Sequence, residues 1–178
     1  KAGVPYTYGK NGNIQYATVI FRLSHVDVEK ACSFDALQIE EWIKEAEQDG
    51  YVLPRKHVYI LPSPRPEEII CNMTAVVKTD GTMIDAIDAQ DMTEGEIIGR
   101  KQVREYERFL RNYVPGFENC VLTDIGSELG IRQSRTIRCI QTLSNEDVMG
   151  AKKSEHAVAK SAWCIEAHGK DGIFMYYF

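Results

Sequence analysis

The sequence has no apolar run near the ~20 residues that cross a membrane, no excess of positive charge, no CxxC pair and no cluster of histidines. Each absence removes a class of function. With 21 basic against 26 acidic side chains, the formal net charge of −5 leaves no electrostatic footprint for nucleic acid. Cys32, Cys71, Cys120, Cys139 and Cys164 stand singly in mostly apolar surroundings. They read as reduced core residues, so a reducing, cytoplasmic setting is expected. His25, His57, His156 and His168 lie far apart in the chain, and no metal site is expected. The 13 glycines include no GxGxxG after a strand and no P-loop. The backbone cradle that sets a pyrophosphate on a helix N-terminus is therefore missing. Ser134 has no GxSxG elbow around it, which argues against a serine nucleophile.

What remains suits a globular domain. A chain of 178 residues, 44% hydrophobic and 26% charged, can bury roughly 70% of its unfolded surface. Ile14 to Leu23 alternates as a strand after the turn-forming Gly9 to Gly12. Asp35 to Asp49 places Leu37, Ile39, Trp42, Ile43 and Ala46 on one helical face, with Gly50 at its end. His57 to Leu61 and Glu68 to Lys78 read as strands flanking the proline-stiffened Pro62 to Pro66, a wall beside a pocket or a plain surface loop. A further strand-like piece spans Met83 to Ile87. The capping box Thr93-Glu94-Gly95-Glu96 predicts a long helix to Asn112, whose arginines alternate with glutamates as a solvated face. Val121 to Ile125 and Thr136 to Leu143 follow as strands, then a short helix opened by Ser144, and extended structure from Ala157 to His168. Gly169 to Gly172 predicts a hairpin into the strand Ile173 to Phe178. Hairpin strands with two principal helices predict an α+β fold: a mostly antiparallel or mixed sheet with both helices packed on one face, forming a single domain over residues 1–178.

Chemistry concentrates late in the chain. Arg132 and Arg135 flank Ser134, and two planar guanidinium forks beside a small hydroxyl can hold a carboxylate or phosphate bidentately. The alternative is a solvated strand edge or structural ion pairs. His168 stands two residues after Glu166 on one strand face, placed for proton exchange near neutral pH or for a plain hydrogen bond to Glu166.

Gly130 to Arg135 resembles the GxRxSR segment of a family of FAD-dependent oxidoreductases. Other stretches agree in order. Asn72-Met73-Thr74 is similar to the family's NMT, Gly99-Arg100-Lys101-Gln102 to its GRxQ, and Pro115-Gly116-Phe117-Glu118-Asn119 to its PGFEN. Leu143 to Val148 is similar to its LTxEDV and Trp163 to His168 to its WPIDIH. Gln133 replaces a usual acid, Thr136 and Ala75 usual arginines, and Cys164 a usual proline. The resemblance implies a substrate-side segment of a larger flavoenzyme, inactive alone, with FAD held by a flavin-binding domain outside this chain and none bound here. Catalytic His168 and substrate- or cofactor-facing Arg132, Ser134 and Arg135 would serve a small-molecule substrate, anionic or neutral. The apolar end Ile173 to Phe178 fits a segment of a longer chain and predicts an exposed patch at Tyr176, Tyr177 and Phe178. The alternative is a non-catalytic ligand-binding or protein-interaction module without flavin.

Overall fold

The computed structural model describes residues 2–9, 14–169 and 172–176. Its centre is an antiparallel sheet of β2 (Phe21–Ser24), β3 (Tyr59–Pro62), β4 (Ile69–Asn72) and β5 (Val121–Ile125), in the order β3-β4-β2-β5. In β2 and β4 the alternate residues Phe21, Leu23, Ile69 and Cys71 are buried. They share one core with Ala31 of the short α1 (Val28–Ala31) and with the apolar stripes of α2 (Ala36–Gln48) and α3 (Ala89–Tyr113), among them Ile39, Ile43, Val103, Tyr106, Phe109 and Leu110. The fold is α+β, as the alternation of apolar residues predicts.

The helices stop where local chemistry stops them. Asp35 caps α2 by accepting from Gln38 N, and Gly50 follows its end at φ +87°, a conformation that favours glycine. Helix α3 begins a turn before the Thr93 capping box, because the Asp88 carboxylate accepts from Gln90 N and Asp91 N, both at 2.9 Å. Thr93 instead donates back to Ala89 O inside the helix. The helical charge run is mostly solvated, but Glu107 is buried and pairs with Arg104 and Arg111. Arg111 also donates to Cys120 O at 2.6 Å and so ties the helix to the entry of β5.

Several predicted strands are shorter than their apolar runs. Glu68 to Lys78 keeps strand pairing only in β4, with an isolated bridge from Val76 to Ala17, because Thr74 and Ala75 bond elsewhere. Met83 to Ile87 is turn and loop, since the Asp85 backbone is taken by the Asp91 carboxylate. Thr136 to Leu143 narrows to β6 (Thr136–Ile137), paired with β1 (Tyr6–Thr7). Residues 138–144 are exposed and form no strand. Ser144 does cap a short helix, α4 (Asn145–Met149), with the reciprocal Asp147 bond of a capping box. Strand β7 (Ile165–Gly169) pairs with β8 (Gly172–Tyr176). The predicted turns' Lys10 to Gly12 and Lys170 to Asp171 lie outside the described residues, as do Tyr177 and Phe178 of the predicted patch; Tyr176 is exposed. The cysteines divide: Cys71 and Cys120 are buried and Cys164 is half-buried, whereas Cys32 and Cys139 are exposed, so a uniform core role does not hold.

Two motif-bearing segments interlock at residue 19. Thr74 Oγ1 accepts from Val19 N at 2.6 Å and donates to Val19 O at 3.0 Å. The Gln102 side chain accepts from Ala75 N at 3.0 Å and donates to Ala75 O at 2.9 Å, acting as a substitute strand neighbour. Gly99 lets α3 reach the same place, since a Cβ there would lie 2.4 Å from Val19 Cγ2. Gly99→Ala should therefore destabilise the protein by about 2 kcal/mol through overpacking. Chemical denaturation of Gly99→Ala, Val19→Ala and the double variant measures the coupling; the double variant should be less destabilised than the sum of the two single changes.

Candidate functional site

The side of the central sheet opposite the helices carries the chemistry. Tyr59 and Asn72 are register partners on β3 and β4, so their side chains leave the same face. Over that face lies the β7–β8 hairpin. It reaches the body through His168 Nδ1 to the Tyr16 hydroxyl at 3.1 Å, and through the Tyr59 hydroxyl to Met175 Sδ at 3.7 Å.

Tyr16 stands on the extended run that leads into β2. The next residues are fixed from both sides: Ala17 bridges Val76, and Thr18 bridges Gly130 with N–H···O distances of 3.0 and 2.7 Å. A Cβ at residue 130 would meet Thr18 O at 2.9 Å. Glycine is what allows this approach, and it delivers the Gly130 to Arg135 segment beside Tyr16. Arg132 is exposed and makes no ion pair among the described residues. Its charge nevertheless acts on Tyr16, Arg55 and His168.

His168 is buried, with its ring edge-on to that of Tyr16 at 5.3 Å between centroids. Nε2 lies 2.9 Å from Glu166 Oε1. A carboxylate only accepts, which assigns the ring proton to Nε2; Nδ1 then accepts from the Tyr16 hydroxyl. Glu166, His168 and Tyr16 thus form a directed chain of hydrogen bonds. Burial pushes the imidazole below its ordinary value, with the Arg132 charge acting the same way against the opposing pull of Glu166. The Tyr16 hydroxyl is pushed up, chiefly by burial.

A residue that motif reading passed over completes the group. Arg55 is only 4% exposed. Its backbone N–H donates to the Tyr106 hydroxyl and its carbonyl accepts from the same hydroxyl, both at 2.9 Å, so α3 fixes its position. The guanidinium lies over the Tyr59 ring at 5.4 Å, and Nη1 donates to Asn72 Oδ1 at 2.8 Å. Nε and Nη2 are buried without a hydrogen-bond partner among the described residues. Tyr16 lies in the field of both Arg55 and Arg132.

The predicted residues are only partly brought together. Arg132 and His168 share the Tyr16 neighbourhood, whereas Arg135 lies over the Tyr6 ring at 4.9 Å, on the β1–β6 ribbon. Ser134 is half-buried and makes no side-chain hydrogen bond among the described residues. Gln133, where the resemblance leads one to expect an acid, accepts from Gln15 N at 3.1 Å and braces the strand before Tyr16. The proline-rich segment does border an open groove of about 980 Å³, lined in part by His25, Asp27, Pro64, Arg65 and Asn119, but none of the predicted site residues lines it.

Among the described residues, the N-termini of the two long helices leave no place for the pyrophosphate of FAD. Asp35 and Asp88 place carboxylates on the N-termini of α2 and α3, where a phosphate would need to sit. The closely approached glycines Gly95, Gly99, Gly116 and Gly130 meet atoms of this chain. The turn glycine Gly116, at φ +97°, is itself held by the Glu118 carboxylate through its N–H.

The buried imidazole has a measurable consequence. Its folded-state value is below the ordinary 6.5, so the unfolded chain binds the proton more readily and stability falls as pH drops through that value. For this one proton the slope has a ceiling of about 1.4 kcal/mol per pH unit. Urea denaturation at about pH 7.5 and 5.5 should show His168→Gln with a smaller acid loss than wild type; an unchanged loss would place the titration elsewhere.

Comparison with known proteins agrees with the motif resemblance. No curated protein and no solved structure matches the chain. A family model described as FAD dependent oxidoreductase matches residues 1–176. Over nearly its whole length, then, the chain that brings Arg132 and His168 to Tyr16 belongs to the FAD-dependent oxidoreductase family.

Proposed function

We propose that this chain is the substrate-side part of an FAD-dependent oxidoreductase, acting with a flavin-binding part of the same protein and inactive by itself. The observation that carries this reading is the hydrogen-bonded series Glu166–His168–Tyr16 beside the uncompensated charge of Arg132. In a flavoenzyme the cofactor supplies redox chemistry, while the protein supplies orientation and electrostatics. Tyr16 gives its proton to His168 Nδ1 as it takes one from the substrate, and Glu166 steadies the resulting imidazolium. Both ring nitrogens of His168 are thereby engaged, so it works through Tyr16 instead of touching substrate. Arg132 holds the substrate's negative charge nearby.

A second feature supports the missing partner. Ile140, Leu143, Val158 and Trp163 are strongly exposed along residues 138–163, where the described chain has only one short helix. Apolar surface of this extent suits a covered interface. The five free thiols, two of them exposed, suit a reducing, cytoplasmic setting.

The complete protein should keep a flavin spectrum through gel filtration, and the isolated 178-residue chain should be colourless. A yellow isolated chain, or a colourless complete protein, overturns the reading. In the complete enzyme, Tyr16→Phe and Arg132→Lys should each lower turnover about tenfold or more with flavin content unchanged. Arg135→Lys should stay within about twofold of wild type, because its cation–π contact with Tyr6 survives a change to lysine.

A further inference from the structure

We infer that Arg55 forms a carboxylate-binding slot beside Tyr16, and that the substrate is therefore a carboxylate-bearing small molecule. This deepens the proposed function by naming the substrate class, and it rests on that reading for the word substrate alone.

Asn72 Oδ1 occupies Nη1, on one side of the guanidinium. Nε and Nη2, the two nitrogens left over, are neighbours along a single edge of the plane. That edge presents two parallel N–H groups at the spacing of the two oxygens of a carboxylate. A buried donor without an acceptor is costly, and a buried charge without a counter-charge more so. Here both conditions hold at one side chain.

The surroundings select for an anion. Arg132 adds a second positive charge acting on Arg55, and the Tyr59 ring lies against the guanidinium. Glu166, which acts on Tyr16, is engaged by His168 Nε2. A planar two-oxygen anion satisfies both free nitrogens at once and offsets the excess charge. Phosphate can accept from the same two donors, and its arm of the experiment separates the two anions. Tyr59, whose ring lies against the guanidinium, also donates to Met175 Sδ of the hairpin at 3.7 Å.

Formate, the smallest carboxylate, tests the slot without knowledge of the whole substrate. The complete protein is studied at about 100 mM sodium formate, with sodium chloride and sodium phosphate arms at matched ionic strength. Formate should move the Arg55 Nε–H resonance, assigned through bonds from its own backbone, downfield, and should raise the unfolding temperature by about 4 °C over chloride. Arg55→Lys should lose the formate increment and Arg135→Lys should keep it. A wild-type resonance indifferent to formate overturns the inference, whether or not the lysine variant folds. A phosphate effect equal to or larger than that of formate also overturns it, as does a formate increment that persists in Arg55→Lys. Flavin absorbance read in the same samples separates the two proposals, because a colourless protein that answers to formate refutes the flavoenzyme reading and leaves the slot standing.

Discussion

The close contact between helix α3 and Val19 is the constraint on which the rest of the molecule depends. Gly99 permits it, and the side chains of Thr74 and Gln102 then bind the backbones of Val19 and Ala75 where ordinary strand pairing would otherwise run. Once residue 19 is fixed, Thr18 and Ala17 are placed to bridge Gly130 and Val76, and Tyr16 is fixed in turn. Helix α3 reaches the site by a second route through Tyr106, whose hydroxyl meets both backbone polar groups of Arg55. One helix thus sets the relative position of the phenol and the guanidinium, although neither belongs to it.

The parts of this fold that were legible in the sequence are those set by local chemistry. Asp35, Ser144 and Gly50 mark helix ends that any isolated reading would find, and Val121 to Ile125 forms its strand over the expected range. The errors arise where side chains compete for backbone groups. Residues 73–78 have the apolar character of a strand, but Thr74 and Gln102 occupy the backbone that would have continued the ladder. Asp88 preempts Thr93 as a helix cap for a related reason: it lies a turn earlier and reaches two free N–H groups at once. Residues 138–144 have strand-like composition without a neighbouring strand to pair with.

The site was less legible because it is assembled across the whole chain. His168 and Arg132 could be singled out by residue type, but Tyr16 and Arg55 carry no local mark of function. The available signal for Arg55 was its setting, a cation between the buried Leu53 and Val58. Asn72 belongs to a recognised motif, yet its service to Arg55 follows only from the register of β3 on β4. Arg135, adjacent in sequence to the true neighbours of Tyr16, is drawn off to Tyr6 by the ribbon that starts one residue later.

The hydrogen bond between Tyr16 and His168 also bears on how the protein comes to be folded. Its partners are 152 residues apart, and the Val19–Thr74 lock closes over 55. Contacts of such long separation lose much chain entropy on closure and belong to the slow end of folding. During synthesis the sheet and its helices can assemble once β5 has emerged, while Tyr16 waits without its partner until the β7–β8 hairpin is made. The scaffold can therefore be complete before the Glu166–His168–Tyr16 hydrogen bonds exist, and this part of the candidate site forms only once β7 and β8 have paired.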